Sequence, residues 1–372
     1  MKPDPYRIFF PLGVLLGVAG VSIWPLYGFG VTAGYSGRAH ALVQTNGFLF
    51  AFVAGFLLTA VPRFTGTEAP TRQTQIWLAA ILIVSAVASE FQAFGIGTAA
   101  SLVAHAYVLA LVARRFAHRR QPPPPTVALI GLGLASGALG AVLNFAVAWE
   151  IVPAFWDLLG KRLLTEGMML LLVLGVGGYL GQRLLGVAPV ALPPGRQERL
   201  WAAAGSAILI SLIAEYGFGL EWMAFVRAAV VTAVVFGALH IWRRPAIRST
   251  LSWCVWTAQW LTVVSVWLVA AAPKYRVDFL HVLFIGGFSL LIFAVGTRVT
   301  LSHGGYDLAA ERRSWPLRLG LAMGLTALLA RVGAPFAPAT YFEHLAFAAL
   351  FWMGGTICWG AYITTMIGRS RA

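Results

Sequence analysis

The run IFFPLGVLLGVAGVSIWPLYGF, from Ile8 to Phe29, decides what kind of fold this chain adopts. It contains no charged side chain, and it is long enough to cross the ~30 Å hydrocarbon core of a bilayer as an α-helix. It lacks the pattern of a cleavable signal peptide, so we interpret it as a first membrane span.

Further apolar runs of similar length continue to the end of the chain. They predict an all-α fold, a polytopic transmembrane helix bundle that forms one integral membrane domain over residues 1–372. About twelve spans are expected, at residues 8–29, 40–61, 76–94, 98–116, 127–149, 163–187, 200–220, 222–242, 251–272, 279–299, 315–332 and 341–367.

The composition agrees with a membrane protein. Hydrophobic residues make up 59% of the chain and charged residues only 11%, whereas soluble domains carry roughly 25% charged residues. The net charge of +14 would favour nucleic acid as a partner in a soluble protein. Here the basic residues lie in short loops and no nucleic-acid-binding motif interrupts the spans, so we expect no nucleic-acid partner.

The distribution of basic residues predicts the orientation. If both chain ends are cytoplasmic, seven of the 27 lysines and arginines fall on the outer side, and the other twenty, Lys2 and Arg371 among them, fall inside. Such a bias is the positive-inside rule, and it favours a bacterial inner membrane with the N- and C-termini in the cytoplasm. The seven outer residues are Arg38, Lys161, Arg162, Arg227, Lys274, Arg276 and Arg331.

The second, sixth and tenth spans resemble one another. Each begins with a polar residue on the predicted outer side, contains glycine, and leaves at an arginine, namely Arg63, Arg183 or Arg298. Their regular spacing predicts three four-helix repeats. The alternative is that regular helices and loops give such spacings by chance.

Polar side chains within the spans gather in the predicted outer leaflet, while the inner half is mostly apolar. Because polar groups are costly in lipid, this clustering indicates a polar cavity that opens outward. Five cations lie on the same side and are expected to meet the carboxylates of a ligand, such as haem propionates: Arg38, Lys161, Arg162, Lys274 and Arg276. The clustered residues are His40, Gln44, Asn46, Glu90, Gln92, His105, Asn144, Glu166, Glu215, His281 and His344.

His40 and His281 are the strongest candidates for metal ligands, because each begins a glycine-containing span. In a regular α-helix, His40, Gln44, Gly47 and Ala51 share one face, with an imidazole above small residues. A flat macrocycle needs such a surface and a neutral imidazole for its iron. His105 and His344 are further cofactor-binding candidates. Each of these histidines could instead form hydrogen bonds at the membrane interface.

Two motifs at these positions resemble the NnrS family of polytopic bacterial membrane proteins. The first is AGFLLTAVPRFTG, from Ala54 to Gly66, which is similar to the family's AGFLLTAVPNWTG. The second runs from His281 through Gly286-Gly287 and Thr297-Arg298-Val299 to Leu301-Ser302-His303-Gly304-Gly305. The resemblance implies haem and copper as cofactors and a role in the response to nitric oxide, nitrosative stress or denitrification.

The sequence departs from the family pattern beside His40. Family members carry HxHEM there, and this chain has Leu42, Val43 and Gln44 where the second His, Glu and Met are expected. Copper favours His and Met ligands. The resemblance therefore implies a haem ligand at His40 more directly than a copper site.

Three functions remain open from the sequence. The first is a haem-binding membrane protein that senses or relieves nitric oxide, through either binding or redox chemistry, although no classical catalytic motif identifies an enzyme. The second is a secondary transporter of a small substrate through the outward-facing cavity. The third is a scaffold without a cofactor, and it would pack through the glycine pairs Gly13/Gly17 and Gly133/Gly137. Its partner would be a second copy of the chain or an electron-transfer protein.

Overall fold

The computed structural model describes residues 4–188, 192–193 and 195–369. Every regular element in these residues is helical. Eleven helices are long and apolar enough to cross a membrane, and the shorter apolar helix Met223–Leu239 lies between two of them. The predicted all-α membrane bundle of about twelve helices is therefore confirmed. Lys2 and Arg371, which the orientation prediction counted, lie outside the described residues.

The helices are numbered in chain order. They are α1 (Tyr6–Gly28), α2 (Gly37–Thr65), α3 (Arg72–Glu90), α4 (Phe94–Ala117), α5 (Val127–Ala148), α6 (Trp156–Leu185), α7 (Arg196–Phe218), α8 (Met223–Leu239), α9 (Thr250–Ala271), α10 (Pro273–His303), α11 (Leu308–Phe336) and α12 (Pro338–Arg369).

Three helices form the centre of the bundle and nine surround them. In the described chain, the outer helices pack side by side in the order α1, α3, α4, α5, α7, α8, α9, α11 and α12, and α12 closes the ring against α1. The central helices α2, α6 and α10 are buried over 83%, 72% and 78% of their apolar windows, against 56% or less for the other long spans. The ring therefore separates the central helices from lipid.

This arrangement places equivalent helices of the three predicted repeats in equivalent positions. Each four-helix unit contributes its second helix to the centre and its other three helices to the ring. A π-helical segment also interrupts each central helix near its start, at Val43–Leu49 in α2, Leu163–Met169 in α6 and Val282–Ser289 in α10. A shared interruption of this kind supports the repeat, since π-helical turns are rare.

Two central helices begin earlier than their apolar runs predicted. The prediction started α6 at residue 163 and α10 at residue 279, whereas the helices start at Trp156 and Pro273. The extra turns are polar, and most of their charges are paired within the protein: Lys161 reaches Asp157 at 2.5 Å and Arg331 reaches Asp278 at 2.6 Å. A span surrounded by other helices can carry paired charges that a lipid-facing span would exclude.

The glycine pairs of the scaffold hypothesis are used inside the chain. A Cβ at Gly13 or Gly17 would lie 2.6 Å from the ring of Phe52 or Phe48 on α2. A Cβ at Gly137 would lie 2.4 Å from the sulfur of Met168 on α6. These glycines let neighbouring helices of one chain approach closely, so they provide no free surface for a second copy.

Candidate functional site

A cavity of about 450 Å³ lies at the end of the bundle where α2, α6 and α10 begin. This is the end that the positive-inside rule assigns to the outside, and we call the space the outer cavity. The sequence-predicted residues His40, Gln44 and His281 all contribute to its wall, together with Asn144. Residues from all three central helices and from all three predicted repeats line this one space.

His40 is held by the backbone of α1. Its Nδ1 lies 2.7 Å from the carbonyl oxygen of Gly20, and the amide of Gln44 donates to the carbonyl of Gly17 at 2.8 Å. Glycine is required at position 20, since a Cβ there would come within 2.8 Å of Val43 and Gln44 side-chain atoms. When Nδ1 donates its proton to Gly20, Nε2 is the unprotonated nitrogen available to a ligand.

His281 has the same arrangement by a different route. Its Nδ1 lies 2.7 Å from the carbonyl oxygen of Val277, one turn earlier in α10. The ring of Phe284 packs edge-on against the imidazole, as Trp24 does against His40. Both imidazoles are thus fixed in orientation, and the backbone bond of each selects the tautomer that leaves Nε2 for coordination.

His105 and His344 do not join this pair. His105 is buried on α4, where its ring stacks on Phe50 with the centroids 3.8 Å apart and its Nδ1 contacts the carbonyl of Ser101 at 2.8 Å. His344 lies on α12 next to Leu345, which contributes to the cavity wall although His344 does not. Their cofactor roles stay predictions, without a shared cavity to support them.

Arg38 and Arg276 already have carboxylate partners within the protein. Arg38 lies 3.6 Å from Asp157 and over the ring of Phe94. Arg276 lies 2.8 Å from Glu215. Neither contributes to the outer cavity wall, so a contact with ligand carboxylates also stays a prediction for these two residues.

Two of the five cations expected near a ligand, Lys161 and Arg162, line the outer cavity, and Arg331 lines it with them. From the sequence, Arg331 contributed only to the prediction of orientation. The sequence did show that Arg331 lies near the outer end of α11, close to the predicted membrane interface. Only the packing of the helices showed that this part of α11 faces α10.

A buried ion network lies beside the outer cavity. The guanidinium of Arg227 on α8 contacts Glu215 on α7 at 2.7 Å and Glu166 on α6 at 3.2 Å. Arg276 and Arg162 extend the network from α10 and α6. Glu166 and Glu215 were predicted at the outer end of their spans, but their pairing with Arg227 was not predicted. The network links α6, α7, α8 and α10 at the end of the bundle that contains the outer cavity.

The expected surface of small residues beneath His40 is absent from the cavity wall, and that prediction was wrong. Gly47 packs against Leu16 of α1, where an added Cβ would lie 3.3 Å away, and Ala51 is fully buried outside the cavity. The reason is the π-helical segment at Val43–Leu49, which changes the residue spacing on which the shared face depended. Aromatic side chains, including Phe48, Phe284 and Trp352, form the wall in their place.

The donor set of the cavity fits a haem better than a bare metal ion. Among the described residues, no three His, Cys, Asp or Glu side chains are grouped so that they could hold a metal ion. A porphyrin supplies four nitrogen ligands of its own, so one or two imidazoles complete the coordination of its iron. The aromatic wall suits its apolar faces. Lys161, Arg162 and Arg331 lie in the wall, but each has a carboxylate partner within the protein, so a contact with propionates stays a prediction for them as well.

The fold and the cavity define a polytopic membrane protein with a histidine-containing outer cavity enclosed by three central helices. A model of the NnrS protein family matches residues 3–371, nearly the whole chain. The protein therefore belongs to the NnrS family. A comparison with curated proteins found no match.

Proposed function

We propose that this NnrS-family protein binds haem in the outer cavity, with His40 and His281 as iron ligands, and acts in the response to nitric oxide. The observation that carries the proposal is the matched geometry of the two imidazoles. Both line one cavity, and the Nδ1 atom of each is 2.7 Å from a backbone carbonyl oxygen. The connection with nitric oxide is what the motif resemblance to the NnrS family implies.

The residues around the cavity have separate tasks in this proposal. Gly20 and Val277 fix the two imidazoles, so that no reorganisation is needed when a ligand binds. Arg331, held by Asp278 at 2.6 Å, presents positive charge at the wall. Ligation by both histidines would fill the coordination of a haem iron and would supply electron transfer or haem storage, whereas nitric oxide would bind that iron only by replacing one histidine.

The first test is a visible spectrum of the protein purified in detergent from haem-replete cells. We expect a Soret band and about one haem per chain. His40→Ala and His281→Ala should each remove or shift the band, because each removes one proposed iron ligand. Nitric oxide added to the reduced protein should shift the Soret band if it replaces one of these histidines.

His118→Ala is the matched control, since His118 is exposed in the loop after α4 and contacts only its own helix end. Its spectrum should equal that of the unmodified protein. Gel filtration of every variant separates loss of a ligand from loss of the fold. A colourless, iron-free preparation that elutes as a folded species would contradict haem binding.

A secondary transporter is the second candidate, and the π-helical interruptions of α2, α6 and α10 favour it. Substrate sites of transporters are commonly built where membrane helices are discontinuous. The outer cavity lies at three such interruptions, with a smaller apolar cavity of about 100 Å³ beyond it among the same helices. A colourless protein that moves a small solute across proteoliposomes would favour this candidate over haem binding.

A further inference from the structure

A second cavity, of about 190 Å³, lies at the opposite end of the three central helices. We call it the inner cavity, since the orientation prediction places it on the cytoplasmic side. Arg63, Arg183 and Arg298 line it, one from each central helix. These are the arginines at which the three repeat-related spans end, and the fold brings them together although they are more than a hundred residues apart in sequence.

The wall of the inner cavity contains no carboxylate among the described residues. Its ionisable side chains are the three arginines, His303 and Tyr179. Two acidic residues approach from outside the wall. Asp4 lies 3.6 Å from Arg63 and 3.3 Å from His303, and Glu311 lies 2.5 Å from Arg298. The three guanidinium groups therefore outnumber the carboxylates that contact them.

Arg183 is the arginine without a carboxylate partner among the described residues. Its guanidinium lies over the ring of Tyr179, 4.4 Å from the centroid, and that ring packs edge-on against Phe64 of α2. Stacking fixes the plane of a guanidinium and leaves its N–H edge free for an oxyanion. A π-helical segment, Gly177–Gly181, lies immediately before Arg183 and includes Tyr179.

We propose that the inner cavity binds a phosphate-type oxyanion through Arg63, Arg183 and Arg298. Guanidinium groups match the geometry of phosphate oxygens and form charge-assisted hydrogen bonds to them. The cavity has room for one such group together with a few water molecules. The oxyanion comes either from free phosphate or from the headgroup of an anionic phospholipid, and the experiment below separates these two sources.

The positive-inside rule alone does not explain this cluster. That rule concerns basic residues in loops and at the ends of spans, with no requirement that they face one another. Arg119 meets the rule without belonging to the cavity, because it is exposed in the loop after α4 and bonds only to the carbonyl of Phe116. It therefore provides a matched control of equal charge.

The test measures binding to the purified, delipidated full-length protein by isothermal titration calorimetry. One arm uses inorganic phosphate, and the other uses nanodiscs of phosphatidylglycerol against nanodiscs of phosphatidylcholine. Arg183→Gln should weaken binding by about ten- to a hundredfold, the range expected for a hydrogen bond between charged groups. Arg119→Gln should leave it unchanged, and Arg183→Lys should restore only part of it.

Asp4→Asn should change binding in the opposite direction. Asp4 competes with the ligand for Arg63, and its hydrogen bond with His303 is the main reason that the pKa of Asp4 lies below its usual value. Removing this carboxylate takes away the charge that competes for Arg63, which then keeps its contact with His303 Nε2 at 2.9 Å, so affinity should rise. A variant that merely loses structure cannot bind more tightly. Weaker binding by Arg183→Gln together with tighter binding by Asp4→Asn would therefore identify this site.

The outcomes are distinct. Binding of inorganic phosphate identifies a free anion, and binding only to phosphatidylglycerol identifies a lipid headgroup; either supports the proposal when Arg183→Gln weakens it. If neither probe binds, or if Arg119→Gln and Arg183→Gln weaken binding equally, the proposal is wrong. Haem binding in the outer cavity is measured separately by its spectrum, so neither result depends on the other.

Discussion

Among single residues, Arg227 has the largest expected effect on stability. Its side chain is 1% exposed and contacts the carboxylates of Glu166 and Glu215. Arg227→Leu would leave both carboxylates buried without this partner, so we expect the free energy of unfolding to fall by about 3 kcal/mol or more. Thermal unfolding of the purified variant in detergent measures the change.

Arg119→Leu is the control for this prediction, since it removes the same charge at an exposed position. A second variant that combines Arg227→Leu with Glu215→Gln should recover part of the lost stability, because it removes one of the two buried carboxylates that lose Arg227 and leaves Glu166 as the other. Equal melting temperatures for Arg227→Leu and the unmodified protein would show that the ion network contributes little.

The candidate site was partly predictable at the level of residues. Depth within the spans was sufficient to group His40, Gln44 and His281, because polar side chains in lipid need a protein-lined space. Depth could not show which way a side chain faces around its helix. For this reason His105, which stacks on Phe50 outside the cavity, was grouped with the cavity residues. Arg331, which lines the cavity, was not predicted to be part of the site.

Among the helix contacts, α5 and α6 cross closely, and this close approach depends on glycine at the crossing. A Cβ at Gly140 would lie 2.6 Å from the backbone oxygen of Gly160, which cannot move aside as a side chain would. We expect Gly140→Val to separate the helices and to lower the free energy of unfolding by about 1–3 kcal/mol. Thermal unfolding in detergent is again the measurement.

Gly131→Val tests the specificity of this contact. Gly131 lies on the same helix, and a Cβ there would meet nothing within 4 Å. Gly131→Val makes the same change of side chain as Gly140→Val, but the new side chain faces open space. The melting temperature of this variant should therefore stay near that of the unmodified protein. Equal destabilisation by both variants would attribute the effect to valine in the helix and not to the crossing with α6.

The positions of the helices were predictable, but their internal irregularities were not. Apolar length locates each span, and Gly66, with φ of 67°, ends α2 where the AGFLLTAVPRFTG motif ends. Hydropathy carries no signal for a π-helical turn, because the same residues suit either helix in lipid. The face predicted for His40, Gln44, Gly47 and Ala51 was wrong for that reason alone.

For the whole molecule, the testable property is orientation. In a cysteine-free background, cysteines introduced at Ala33 and Ala154, in the loops before α2 and α6, should react with a membrane-impermeant maleimide in intact cells. A cysteine at Arg119 should react only after the cells are opened. This pattern follows from the excess of basic residues at the inner end. The reverse pattern would show that the outer cavity faces the cytoplasm and the inner cavity faces the outside.

The class of the fold followed from composition and run length, since a chain with 11% charged residues has few alternatives to a bilayer. The order of the helices in the ring did not follow from them. Lipid is as apolar as the side chains it contacts, so hydropathy cannot distinguish α2, which the ring encloses, from α3, which faces outward. Only the regular spacing of Arg63, Arg183 and Arg298 indicated the three equivalent helices.

The closed ring also determines how the protein responds to the membrane around it. A thicker or thinner bilayer changes the tilt of the helices that touch it, and in the described chain those are the nine outer helices. The three enclosed helices meet mainly other side chains. Each cavity takes part of its wall from these enclosed helices, so that part of the wall is buffered against changes in the host membrane.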